Sequence, residues 1–98
     1  MDANKILEVI TIYRKHLTED HGVPKIDYPH DKPVFYKHKI LSHCHGMLDQ
    51  MEEFVRQGRI DKAFRWLGFV QGCLWSERCY TLDELKNHNR PNNSEGKE

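Results

Sequence analysis

The sequence predicts an all-α domain: an N-terminal helix, a proline-rich arm, a long antiparallel helical hairpin and a short C-terminal helix, assembled as a homo-oligomer. Three observations carry this. Apolar residues recur at steps of three, four and seven through three long stretches. Start and stop signals stand between those stretches. The third stretch, about residues 60–79, is apolar on more than one side in a chain with few elements to cover it, so other copies of the chain are expected to supply the cover.

Taken in order, Asp2 can cap a first helix over about residues 3–20, with Ile6, Ile10, Tyr13 and Leu17 on one face and Lys5, Glu8, Arg14 and Lys15 on the polar side. Tyr13 ends the apolar stripe, either as a core tyrosine with its hydroxyl at the surface or as a stacking platform. His21 and Gly22 end this helix. Pro24, Pro29 and Pro33 then hold residues 23–33 in an extended arm, because each proline lacks an N–H and disfavours helix in its predecessor. The arm carries Lys25, Tyr28, His30, Asp31 and Lys32, which a bare spacer does not need.

A second helix is expected over about 34–57, its seam formed by Ile40, Leu41, Cys44, Met47, Leu48, Met51, Phe54 and Val55. Gly58 suits the position just past its end, and Arg56 in the last turn complements the dipole. A tight turn sends the third helix back antiparallel. Its stripe toward a partner helix reads Ile60, Phe64, Leu67, Gln71 and Leu74, with Gln71 as the polar exception; Trp66, Phe69, Val70 and Cys73 face elsewhere. Thr81-Leu82-Asp83-Glu84 matches a capping box and opens a fourth helix to about His88. Residues 1–89 therefore form one domain, and residues 90–98, rich in Asn, Ser, Gly, Glu and Lys, read as a disordered tail.

Composition narrows the function. A chain of 98 residues buries only roughly 60–65% of its unfolded surface, so its core is thin. Fifteen Lys and Arg balance fifteen Asp and Glu, which leaves no uniform field for a DNA or RNA polymer. Three cysteines and no leader-like N-terminus suggest a reducing cytoplasm, and no stretch approaches the roughly 18 apolar residues of a membrane span. Gly68-x-x-x-Gly72 has the form of a membrane dimerisation motif, but Arg65, Gln71, Glu77 and Arg78 surround it. Its content here is close approach of another backbone.

Catalytic chemistry finds little support. His43, Cys44 and His45 are adjacent on a helix and point about 100° apart, so they cannot converge on one ion; no metal and no cofactor are expected. There is no Gly-rich phosphate loop and no H-E-x-x-H, and Glu52-Glu53 reads as a solvated face, so the chain is not expected to be an enzyme. Arg65, between Phe64 and Trp66 and a turn before Gly68, is either a surface charge, a bridge to Asp49 or Glu53, or a clamp on an anion. A planar guanidinium beside a ring suits phosphate plus nucleobase.

Ile12-Tyr13-Arg14-Lys15, the arm with Lys25 and Tyr28-Pro29-His30-Asp31, Phe64-Arg65-Trp66-Leu67-Gly68-Phe69-Val70-Gln71-Gly72 and Tyr80-Thr81-Leu82-Asp83-Glu84-Leu85 together resemble the small phage-encoded anti-CBASS sponge proteins. That resemblance implies an all-helical protomer in a hexamer that sequesters cyclic oligonucleotide messengers in the host cytoplasm without cleaving them: cyclic dinucleotides at protomer interfaces, cyclic trinucleotides at separate three-fold sites. It implies Tyr13 stacking on a base, with Lys25 (or Lys32, also in the arm) and Tyr28 completing the dinucleotide site, and Arg65 at the trinucleotide site. Gly68, Gly72 and Trp66 are the candidate interface residues. The alternative is a helical protein-interaction module with no nucleotide ligand.

Overall fold

Asp2 starts the first helix as its sequence position demands: its carboxylate accepts the Lys5 amide at 2.9 Å, and helix α1 runs Ala3–Lys15. In the computed structural model, which describes residues 1–91, α1 continues without a break into a π-helical turn, His16–Asp20, ended by Gly22 at a φ of 61°. Helix α2 is Lys37–Arg56, α3 is Ile60–Ser76 and α4 is Leu82–Asn89; there is no strand among the described residues. The expected tail falls mostly at 92–98, outside the described residues. No helix is long and apolar enough to cross a membrane.

The two hairpin helices are joined by residues 57–59. Gly58, at a φ of 76°, lets the Arg59 amide reach back to the Phe54 carbonyl at 2.8 Å, the left-handed stop that a side chain would strain. Near that turn Phe54 meets Trp66 edge to face, with ring centres 4.9 Å apart; further along, Cys44 meets Cys73, so α3 runs antiparallel to α2. The core is one cluster. Ile6, Val9, Ile10, Tyr13 and Leu17 come from the N-terminal helix, and Leu41, Cys44, Met47, Leu48 and Met51 from α2. Ala63, Leu67, Val70 and Leu74 come from α3, and Leu85 from α4. The stripe expected on α3 is thus corrected by one register: small Ala63 and Val70 face inward, and bulky Phe64 is half exposed. Helical geometry selects the 63-67-70-74 row, whatever the size of its members.

The arm lies along α2 in extended form. Its backbone makes sheet-like contacts with a helix: the Ile26 amide donates to the Ser42 carbonyl at 3.2 Å, and the Tyr28 amide to His43 Nδ1 at 3.1 Å. Buried His45 donates from Nδ1 to the Val23 carbonyl at 2.8 Å and accepts the Thr18 hydroxyl at Nε2, which pins the start of the arm. Glycine at position 46 makes this possible, because a Cβ there would collide with the Ile26 carbonyl. A mid-helix glycine costs about 1 kcal/mol relative to alanine; here it is the seat of the arm. Gly46→Ala is expected to lower stability by about 1–3 kcal/mol, the usual range for overpacking, despite its better helix propensity. Urea denaturation measures the loss, and hydrogen exchange should show the Ile26 amide deprotected first.

Candidate functional site

Between the arm and the α2–α3 pair lies an open groove of about 660 Å³, within the roughly 300–1,000 Å³ usual for small-molecule sites. Tyr28, His30 and Lys32 approach it from the arm, His43 and Met47 from α2, and Arg65, Trp66, Phe69 and Cys73 from α3. It exists because the prolines hold the arm extended and Gly46 holds it close. The Tyr28 hydroxyl donates to the Pro33 carbonyl at 3.2 Å, which fixes the ring at the groove wall. Asp27 brings a carboxylate to the same wall. A 2.9 Å hydrogen bond from His30 engages it and holds its carboxyl below the ordinary range.

Arg65, like Lys32, is a cation of this groove with no ion pair among the described residues. The two bridges open to it in the sequence are occupied by others: Asp49 by Arg14 at 2.9 Å and Lys25 at 3.0 Å, Glu53 by Arg56 at 2.5 Å. Among the described residues Arg65 has no ion-pair partner. Lys25 does not line the groove, whereas Lys32 does. The exposed Lys25–Asp49 pair is of a kind worth at most about 1 kcal/mol, and Lys25 holds the Asp49 carboxyl low together with Arg14.

Tyr13 is corrected outright. No part of it is exposed, and its ring lies against Tyr80 and His88 at centroid distances of 5.6 and 5.4 Å. No face is left for a base. The hydroxyl is not at the surface either. It accepts from Gln71 Nε2 at 2.9 Å and donates to His88 Nδ1 at 2.9 Å, while Gln71 and Asn89 exchange two amide hydrogen bonds at 2.8 and 3.2 Å. That is why a glutamine interrupts the apolar surface of α3. Burial lowers the His88 pKa, which favours the neutral ring that can accept at Nδ1, and it pushes the Tyr13 phenol up to about 12.

Of the expected interface residues, Trp66 is half-buried against Phe54 and lines the groove, with the Lys62 ammonium 5.9 Å from its ring centre. Gly68 and Gly72 lie on the exposed face of α3, where an added Cβ at either meets nothing within 4 Å; exposed Phe64 and Trp75 flank them on one side and Arg65 and Phe69 on the other. The histidines near Cys44 have separate duties, His43 toward Tyr28 and His45 toward Val23. The chain matches no protein-family model, no curated protein and no solved structure.

Tyr13→Phe is expected to cost about 1–3 kcal/mol, because Gln71 and His88 each lose a buried partner. The pH dependence gives a second readout. The folded chain keeps the Tyr13 proton to about pH 12, whereas an unfolded tyrosine loses it near 10. Stability from this group is complete below pH 10 and falls toward pH 12 by at most about 1.4 kcal/mol per unit. The Phe variant should lose that part of the alkaline slope in denaturation curves taken from neutral pH to pH 12.

Proposed function

We propose that this chain is a non-catalytic binding protein that sequesters cyclic dinucleotides, and cyclic trinucleotides where three copies meet, as the resemblance to the anti-CBASS sponges implies. The observation that carries the reading is Arg65: a guanidinium without an ion pair among the described residues, at the edge of a groove walled by Tyr28, Trp66 and Phe69, with Lys32 across from it. Rings take bases and cations take phosphates, and stacking contributes roughly 1–3 kcal/mol per base. The stacking role passes from Tyr13 to Tyr28, and the lysine role from Lys25 to Lys32. With only two or three phosphates to meet, the ligand does not require a net positive protein.

Calorimetric titration with a panel of cyclic di- and trinucleotides tests this. Binding is expected, with Tyr28→Ala weakening it by about 1–3 kcal/mol and Arg65→Ala by about 1.5–3 kcal/mol, as for a hydrogen bond to a charged group. Tyr13→Phe, once folded, should bind as the parent does. No heat for any ligand well above micromolar concentration sinks the reading.

Self-association belongs to the same proposal. The groove is open, and Arg65 and Phe69 belong both to it and to the exposed α3 face, so a second α3 seated on Gly68 and Gly72 would close it from one side. An isologous contact of this kind offers a near-symmetric ligand the same residues twice. Gly68→Leu is expected to leave the protomer folded, since its Cβ meets open space, and to abolish the oligomer in light scattering. A parent chain that is monomeric by the same measurement would favour the interaction module instead. The specific observation behind that second reading is the exposure of Phe35 (80%), Tyr36 (64%), Phe64, Phe69 and Trp75.

A further inference from the structure

The nucleotide reading uses none of the side chains around the π-helical turn. There, His16 and His21 face each other with their Nε2 atoms 3.1 Å apart, and Cys79 Sγ lies 3.7 Å from His21 Nε2; all three donor atoms fall within 4.8 Å of one another. We infer that His16, His21 and Cys79 form a three-ligand site for a divalent ion of the zinc type, with the fourth position open to solvent.

The distances are those a tetrahedral ion would impose. With zinc–nitrogen bonds of about 2.0–2.1 Å and zinc–sulfur bonds of about 2.3 Å, two ligating nitrogens sit about 3.3 Å apart and a nitrogen and sulfur about 3.6 Å apart. The His16–His21 and His21–Cys79 distances differ from these by no more than a few tenths of an ångström, and the third pair lies within 4.8 Å. Protonation is also arranged for it. His16 Nδ1 donates to the Asp20 carboxylate at 2.8 Å, so the Nε2 that faces His21 is the lone-pair nitrogen, and the carboxylate orients the ring as it does behind zinc-bound histidines. In the metal-free chain His21 donates its Nε2 proton to His16; on binding, His21 takes the tautomer that carries its proton at Nδ1, which frees the Nε2 lone pair for the ion, and the Cys79 thiol releases its proton to solvent.

The backbone brings the three together in two unusual ways. A π turn closes on the fifth residue, so His16 and His21, five apart, stack on one side where an α-helix would turn them well away from each other. At the other end, α3 stops with the Arg78 amide on the Trp75 carbonyl and the Cys79 amide on the Leu74 carbonyl at 2.8 Å. This left-handed stop usually takes glycine, yet here Arg78 holds a φ of 64°, and Cys79 is thereby turned toward the histidines. Tyr80 covers the His16 ring at a centroid distance of 4.9 Å. His21 is exposed, which gives an ion entry and leaves one coordination position for water or an outside donor. Three protein ligands and one exchangeable position is the arrangement of reactive zinc sites, where structural sites close all four.

Cobalt(II), which reports thiolate ligation in its absorption, is the probe, titrated into the full reduced chain. One equivalent is expected to bind with a thiolate-to-cobalt charge-transfer band and the strong visible bands of a tetrahedral centre, and zinc should bleach both. Cys79→Ser should remove the charge-transfer band, Asp20→Asn should lower affinity about 10–100-fold, and Cys73→Ser should change neither. His21→Ala, at an exposed position, gives an independent loss of affinity. Absence of the charge-transfer band in the parent chain, or its survival in Cys79→Ser, overturns the assignment.

Discussion

One hydroxyl group sets the arrangement of three helices. Tyr13 reaches from α1 to Gln71 on α3 and His88 on α4, and Gln71 in turn holds Asn89. An eight-residue helix that buries only Leu85 has too little length and too little apolar contact to persist alone. Its position therefore rests on its capping box and on this network. The network also fixes the rotation of α3. Turning that helix by one residue would bury Gln71 without partners, at a cost of about 1–3 kcal/mol for the lost hydrogen bonds, and would bring Phe64 or Gly68 to the core in place of Leu67. Polar groups in a thin core discriminate between packings that apolar groups alone would leave close in energy.

From that junction the consequences run outward in two directions. Rings continue from Tyr13 to Tyr80 to His16 to His21 at centroid distances of 5.6, 4.9 and 4.6 Å, so the π turn and the end of α3 are held against each other by aromatic contact before any ion is considered. With α3 fixed in rotation, Arg65 and Phe69 point toward the arm while Gly68 and Gly72 point away from the core. The arm itself depends on a different constraint, the absence of a side chain at Gly46. The groove is the space left when a proline-stiffened segment is seated on one helix and a neighbouring helix presents its aromatic edge.

Much of the fold was legible in the sequence because it is written in local signals. Asp2, Gly58 and the Thr81–Glu84 box act within a few residues of themselves, and each is found with the hydrogen bonds its position implies. The seam of α2 and the buried face of α1 follow from spacing alone. What failed was the choice between two nearly equal stripes on α3, where large side chains outweighed small ones in the reading although Ala63 and Val70 are the buried ones. Tyr13 is more deeply buried than a core tyrosine with a surface hydroxyl, because the partners of that hydroxyl lie 58 and 75 residues away. Gly46 carries no turn or cap signature, and only the arm's approach explains it. The His16, His21 and Cys79 cluster was invisible for a sharper reason. Metal spacing in a sequence is judged on α-helical geometry, and five residues apart is a poor spacing until the helix widens to a π turn.

The Arg65 end of the groove and the histidine–cysteine cluster lie far apart along α3. Arg65 and Ser76 are 11 residues apart on that helix, which at 1.5 Å per residue is roughly 16 Å, and Cys79 lies beyond Ser76. Perturbations at sites more than about 7–10 Å apart with no shared partner add nearly independently. Cys73, at the near end of the groove, lies closer to the cluster, but among the described residues the side-chain hydrogen bonds of His16, His21 and Cys79 go to Asp20, to one another and to the Glu77 carbonyl, none of which lines the groove. An ion at the π turn would therefore tighten the junction of α1, α3 and α4, where Tyr13 already acts. A ligand in the groove would tighten the arm against α2. Because the first acts through the core and the second through Gly46, the chain can lose either without losing the helical frame that positions the other.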